Sequence, residues 1–375
     1  MNEKEVGELR RRFRSEKTAI THIHGCYVDE RREIISEFDQ SLAMMNEDEQ
    51  DRFLTLLRKT LSGTIGRNLV DLSFETQEVV SGEAHRRLMA LRDCKLQDEA
   101  LRRSFYETVS QSLRLDTGYL ILLACDAYDV PHRGRDDLAL EDASEEVYTY
   151  ILCSICPVKQ PKPGLSYDRQ ENAFRGRVLD WLVGAPELGF LFPAFTGRST
   201  DLYAALYYTR NVALCQEALI QALFHTEAPM PAAAQKENFQ AVLEQGLGAE
   251  CRLEVVQAVQ EHLCDLMEEH KALHEREPLT VSRGEVRRVL EHCGVDGEHV
   301  AAFEAAYDET FGAQAELPPR NLVEPNRCEL STPDVTIRVD PARRDLIETR
   351  EIDGVRYLLI RADGGVELNG VPVQL

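Results

Sequence analysis

Eight carboxylates crowd the connection between two apolar segments that read as central strands: Asp126, Asp129, Asp136, Asp137, Glu141, Asp142, Glu145 and Glu146. Carboxylates at strand ends hold the divalent cations of many phosphoryl-transfer sites. Asp126 and Asp129 are therefore the candidate catalytic residues of a metal-dependent hydrolase or nuclease. The cluster has no defining ligand spacing, and an acidic surface loop is the commoner explanation of such a run.

A second group with possible metal chemistry is His22, His24 and Cys26, which alternate along one face of a predicted strand. Imidazole and thiolate are transition-metal ligands, but one strand supplies only part of a coordination shell, and a polar or half-buried sheet face is the commoner explanation of the pattern. Cys153 and Cys156 form a C-x-x-C inside an apolar strand. Residues three apart on a strand point to opposite faces, so we expect buried structural cysteines. No cofactor is predicted.

Positive charge gathers in three stretches, which carry the candidate residues for binding nucleic acid or a protein partner: Arg10, Arg11, Arg12, Arg14, Arg86, Arg87, Arg102, Arg103, Lys159 and Lys162. The ordinary explanation of each stretch is a solvated face. The formal net charge of −22 excludes general electrostatic binding to nucleic acid or to an anionic membrane. Residues 217–310 hold 19 acidic and 7 basic residues, however, whereas residues 1–216 hold 35 and 28. A local or partner-mediated association with DNA therefore stays open.

The elements that must position these residues predict an α+β fold. Residues 1–212 form a mixed domain with a buried, mainly antiparallel sheet, which includes a hairpin at 20–38 and central strands at 119–125 and 147–156. Residues 213–317 form an acidic helical segment. Residues 318–375 form a small β-meander, in which Asp353 and Gly354 supply the turn of a hairpin.

The hydrophobic pattern and the cysteines predict the compartment of the protein. The chain opens on a charged helix, and no apolar run is long enough to span a bilayer, so we expect no membrane association. The ten cysteines are scattered through apolar stretches, which is typical of free thiols in a reducing compartment. A cytoplasmic protein of 375 residues is expected, and an oligomer is compatible with the sequence.

Four runs are distinctive: HGCYVDERREIISEFD at 24–39, EVYTYILCSICPVK at 146–159, PELGFLFPAF at 186–195 and TPDVTI at 332–337. Together they resemble a whole-chain family of bacterial proteins of unknown function, typical of clostridia-like bacteria, for which no site residues carry over. The order of elements, from the hairpin at 20–38 to the closing hairpins, is also similar to the bacterial nucleoid-associated protein family, which is acidic and has no established enzymatic role. That resemblance implies protein partners that include nucleoid components, with weak or indirect association with DNA.

Two functions from different classes follow. The first is a non-enzymatic interaction protein of the nucleoid-associated type, which acts through protein partners or a local basic face. The alternative is the metal-dependent hydrolase or nuclease that uses the acidic cluster around Asp126 and Asp129.

Overall fold

The structure is a computed structural model that describes residues 1–133, 139–160, 164–169, 172–176, 180–273, 278–324, 328–332, 334–339, 343, 346–362, 366–368 and 371–373. The chain divides into two compact units, one of Met1–Ala234 with Arg276–Pro278 and one of Gln235–Glu275 with Leu279–Leu375. The predicted division at 212/213 and 317/318 stays a prediction. The fold belongs to the α+β class, as the sequence predicts.

An antiparallel sheet forms the centre of the first unit, with the strand order β2-β1-β4-β5-β9-β12-β3 and with β8 beside β5. The long β4–β5 hairpin lies in the middle, and β2 and β3 lie at the edges. The strands of this unit are β1 His22–Val28, β2 Ile34–Ser41, β3 Leu69–Ser73, β4 Tyr119–Arg133, β5 Ala139–Lys159, β6 Leu165–Asp168, β7 Ala173–Gly176, β8 Leu182–Val183, β9 Leu188–Phe192, β10 Ala194–Thr196, β11 Ser199–Asp201 and β12 Ala204–Thr209.

Both faces of the sheet are covered by helices, because the central strands are apolar on both sides. Ile121 and Leu123 of β4 belong to one hydrophobic cluster, while Leu120 and Leu122 belong to the other. Helices α4, α5 and α6 supply the first cluster, and α1 and α2 supply the second. The helices of this unit are α1 Glu3–Arg10, α2 Glu47–Thr60, α3 Thr76–Ser81, α4 Glu83–Asp93, α5 Glu99–Ser112 and α6 Glu217–Phe224.

The two cysteines of the C-x-x-C motif lie in different cores. Cys153 packs in the cluster of α4 and α5, and Cys156 packs in the cluster of α1 and α2. Burial raises the pKa of both thiols, that of Cys156 to about 12. The prediction of buried structural cysteines on opposite faces is confirmed.

Helices α1 and α2 cover one face of the sheet. Asn2 accepts a hydrogen bond from the Glu5 amide, and Glu5 accepts one from the Asn2 amide, which together form a capping box at the start of α1. At the C-terminal end of α2, the hydroxyl of Thr60 lies 2.6 Å from that of Ser154 in β5, and both residues are buried. Leu9 of α1 and Leu57 of α2 pack in the same hydrophobic cluster, so the two helices lie on the same face of the sheet.

The second unit has its own helical core around Phe239, Leu263 and Phe303. Its last strands form three two-stranded hairpins, β15–β16, β17–β18 and β19–β20, where the sequence predicts a meander. The elements are α7 Ala232–Leu247, which begins before the unit boundary, α8 Leu253–Leu273, β13 Val281–Ser282, α9 Arg283–His292, α10 Gly297–Phe311, β14 Glu316–Leu317, α11 Pro319–Leu322, β15 Cys328–Ser331, β16 Thr336–Val339, β17 Ile347–Ile352, β18 Val355–Ile360, β19 Val366–Leu368 and β20 Val371–Val373.

Candidate functional site

Asp126, the first candidate for metal chemistry, is buried in a closed polar cluster. Its carboxylate accepts hydrogen bonds from Arg12 Nε at 2.7 Å and Arg12 Nη2 at 3.0 Å, and from the Tyr150 hydroxyl at 2.8 Å. Only 2% of Asp126 is exposed. Burial and the neighbouring carboxylate charge raise the pKa of Tyr150 well above its usual value, so the phenol keeps its proton and donates. This arrangement satisfies the carboxylate from within the protein.

Asp129 does not join Asp126. Tyr128 and Val130 pack in the same cluster as α1 and α2, on the side where Asp126 lies, so the alternation of β4 places Asp129 on the opposite face, where it is exposed. The side chains of the cluster from Asp136 to Glu146 lie outside the described residues. The structure therefore brings together no pair of the candidate catalytic carboxylates among those it describes.

His22, His24 and Cys26 lie on the face of β1 that packs toward α5, and they do not form a coordination shell. The His24 Nδ1 lies 3.3 Å from a carboxylate oxygen of Asp39 on β2, and Cys26 is opposite Glu37. Burial lowers the pKa of His24 to about 4 and raises that of Cys26 to about 12. Within the described ranges, no three His, Cys, Asp or Glu side chains are placed to hold a metal ion.

Most of the candidate basic residues are engaged in contacts within the first unit. Arg12 pairs with Asp126, and Arg103 pairs with Glu37 at 2.5 Å and with Glu107 at 3.2 Å. Three arginines of α4 and α5 donate to neutral oxygens: Arg86 to the Ser81 carbonyl, Arg87 to the Thr108 hydroxyl and the Ala222 carbonyl, and Arg102 to the Leu96 carbonyl. The ammonium group of Lys159 lies 3.9 Å from a carboxylate oxygen of Glu187. Lys162 lies outside the described residues.

Arg10, Arg11 and Arg14 behave differently, because all three line one depression. Arg10 is the last residue of α1, and Arg11 and Arg14 follow it. Together with Arg58 and Lys59 from the last turn of α2, they line a cavity of about 390 Å³. Gly7 and Ser62 complete the lining. We call this site the basic pocket. It gathers five cationic side chains from two helices.

The electrostatics of the basic pocket are uniform. No carboxylate is among the described residues that line it. Among the residues that the structure describes, none of the five cations forms an ion pair of 4.0 Å or less. A basic side chain in the last turn of a helix also stabilises the helix dipole, which accounts for Arg10, Arg58 and Lys59. It does not account for Arg14, which lies beyond the last turn of α1. An anion with several negative oxygens would relieve the mutual repulsion of these groups.

Arg58 and Lys59 were not among the candidate residues from the sequence. The available signal was a pair of basic residues in the last turn of a helix whose apolar face was evident. That signal could not reveal that the turn lies beside Arg10, Arg11 and Arg14, since α1 and α2 are separated by the β1–β2 hairpin in the chain.

None of the described helices is both long enough and apolar enough to cross a bilayer. A family model with the description "Domain of unknown function (DUF4317)" matches residues 1–371. No curated protein and no solved structure matches the chain, so the resemblance to nucleoid-associated proteins gains no support from comparison. The match to the family model spans almost the whole chain and confirms the predicted membership of a family of unknown function. The protein belongs to the family described as Domain of unknown function (DUF4317).

Proposed function

We propose that this protein is a cytoplasmic, non-enzymatic interaction protein of the nucleoid-associated type, which holds the phosphate backbone of DNA weakly and locally through the basic pocket and works with protein partners. The observation that supports the proposal is the convergence of five cations, from α1 and α2, around one depression. Planar guanidinium groups bind phosphate oxygens in pairs, which suits Arg10, Arg11, Arg14 and Arg58 to this task.

The net charge decides what kind of binding is possible. At −22 the whole molecule repels a polyanion at long range, and this repulsion is screened over a Debye length of about 10 Å at 0.1 M salt. Contacts inside the basic pocket act at hydrogen-bond distance and are screened less. The expected complex is therefore weak, confined to one face and dependent on ionic strength.

The alternative function that the sequence suggests is a metal-dependent hydrolase or nuclease that uses Asp126 and Asp129. It would require the carboxylate of Asp126 to leave Arg12 and Tyr150. Removal of the carboxylate from a bidentate guanidinium would leave a largely buried positive charge without its partner, which is strongly unfavourable.

Fluorescence anisotropy with a labelled short duplex DNA tests the first proposal. The variant combines Arg10→Ala, Arg11→Ala and Arg14→Ala, three substitutions of exposed residues, so the fold should be retained. We expect the variant to bind about tenfold or more weakly than the wild type at low salt, because contacts to several phosphates are removed.

A matched control removes the same charge elsewhere. The variant Arg31→Ala, Arg86→Ala and Arg114→Ala also replaces three exposed arginines of the first unit, none of which lines the basic pocket. Its affinity should stay within about twofold of the wild type. Equal losses in the two variants would show that only the total charge matters, and no binding by the wild type would reject the proposal.

A further inference from the structure

A second depression of the first unit lies beside α2 and has the opposite character. Its volume is about 750 Å³, which is within the roughly 300–1,000 Å³ typical of ligand sites. It is bounded by the edge strand β2, by α2, by β4 and by β8. Its apolar lining consists of Phe38, Phe53, Leu56, Leu120, Leu182 and Val183. We call it the acidic groove, because Asp48, Glu49 and Asp51 also line it.

The apolar lining is held in place and left open to solvent. Phe38 is paired with Gly25 across β1 and β2, and its ring lies 2.0 Å from the position that a Cβ on Gly25 would occupy. The absence of a side chain on Gly25 therefore lets the ring lie against the sheet. Leu182 and Val183 of β8 remain 50% and 42% exposed. Together with the partly exposed Phe53 and Leu56, they give the depression an apolar surface open to solvent, as in many binding sites.

The exposed polar lining of the acidic groove is mainly anionic. Asp48, Glu49 and Asp51 carry three carboxylates, and Arg52 is the one cation among the described lining residues. Carboxylates in the first turn of a helix stabilise its dipole, which accounts for Asp48 and Glu49 but not for Asp51 in the second turn. The surplus of negative charge disfavours fatty acids, phosphate groups and nucleic acid.

We infer that the acidic groove binds a segment of a partner protein that carries lysine or arginine beside apolar side chains. The apolar side chains would cover Phe53, Leu56 and Leu182, and the cationic groups would face Asp48 and Asp51. The edge of β2 adds backbone donors and acceptors beside the groove, which favours a peptide over a small apolar molecule. This inference rests on the acidic groove alone and is independent of the basic pocket.

The test uses the full-length protein and a labelled amphipathic peptide made of leucine and lysine at helical spacing. We expect saturable binding of this peptide. A peptide with glutamate in place of lysine, and a peptide with serine in place of leucine, should bind about tenfold or more weakly. Equal binding of the leucine–glutamate or the serine–lysine peptide would overturn the inference, as would no binding of the leucine–lysine peptide.

Because the whole protein is acidic, the effect of the groove carboxylates on peptide binding must be distinguished from the effect of the net charge. The combined variant Asp48→Asn, Glu49→Gln and Asp51→Asn should weaken binding of the leucine–lysine peptide about tenfold, while the matched control Glu30→Gln, Glu33→Gln and Asp116→Asn should leave it within about twofold. All six residues are exposed, so the fold should be retained, although neutral residues at 48 and 49 remove the stabilisation that each carboxylate gives the α2 dipole, about 0.3–1 kcal/mol. Equal losses in the two variants would overturn the inference.

Leu182→Asn tests the apolar half of the acidic groove at an exposed position, and we expect a similar loss of peptide binding. Analytical sedimentation of the wild type and of the same variant tests whether a second copy of this chain occupies the groove instead. If the wild type is an oligomer that Leu182→Asn dissociates, a second copy covers the groove and the inference fails. The basic-pocket variant should bind the peptide like the wild type, so failure of the DNA proposal and failure of this inference can be told apart.

Discussion

At the scale of single residues, the same residue type has opposite roles within one short stretch. Arg12 turns inward, where its guanidinium pairs with Asp126 and lies 4.5 Å from the centre of the Tyr128 ring. Arg10, Arg11 and Arg14 stay exposed and line the basic pocket. One arginine thus stabilises the fold, and its three neighbours are available to an anionic partner.

The pair of Arg12 and Asp126 predicts a large effect on stability. Asp126→Ala should reduce the free energy of unfolding by about 3–5 kcal/mol, because it leaves a largely buried guanidinium and the Tyr150 hydroxyl without their acceptor. Unfolding by urea, followed by circular dichroism, measures this change. Asp129→Ala, at an exposed position of the same strand, should cost less than about 1 kcal/mol. A stable Asp126→Ala protein that has lost a metal-dependent hydrolytic activity would favour the enzyme alternative instead.

The sequence could reveal some of these roles and not others. Cys153 and Cys156 were placed on opposite faces by strand alternation alone, since that periodicity is local. The inward position of Arg12 depends on Asp126, which is 114 residues away in the chain, and a local pattern contains no information about such a contact. The convergence of Arg58 and Lys59 on the α1 arginines is non-local in the same way.

At the scale of elements, α2 connects the two candidate sites. Its last turn contributes Arg58 and Lys59 to the basic pocket, and its first turns contribute Asp48 and Asp51 to the acidic groove. The contact of α2 with the sheet depends on a close approach at Gly189 of β9, where a Cβ would lie 2.4 Å from both Thr60 Cγ2 and the Cys153 carbonyl oxygen. A side chain at this position would displace the helix or the strand.

Gly189→Ala should therefore destabilise the protein by about 1–3 kcal/mol through overpacking. Thermal unfolding of the purified variant measures the effect. Gly164→Ala is the matched control, because a Cβ at Gly164 meets nothing within 4 Å, and it should change stability by no more than about 0.5 kcal/mol. Identical unfolding of both variants would show that α2 does not depend on this contact.

The elements themselves were largely predictable, and their arrangement was not. The hairpin of β1 and β2, the central strands and the Asp353–Gly354 turn follow from alternation and turn chemistry. The break between α3 and α4 lies at Gly82, where the backbone is extended. The position of β3 beside β12 depends on packing between distant segments, which sequence periodicity does not specify.

At the scale of the whole molecule, the distribution of charge matters more than its sum. More than half of the formal charge of −22 belongs to residues 217–310, while the five cations of the basic pocket lie within the first 59 residues. Long-range electrostatic attraction between the whole protein and DNA is thus excluded. Any binding must come from a small number of contacts between basic side chains and phosphates. The salt dependence of binding measures that number.

Each phosphate neutralised by a lysine or arginine contributes about −0.9 to the slope of log affinity against log salt concentration. If the five cations of the basic pocket all contact phosphates, the slope between about 50 and 200 mM salt should be about −4.5, and no steeper. The variant that lacks Arg10, Arg11 and Arg14 should lose about 2 to 3 of that slope, whereas the matched control of Arg31, Arg86 and Arg114 should retain it. Anisotropy titrations at several salt concentrations provide both slopes. A slope that is unchanged in the first variant would show that DNA contacts some other face of the molecule.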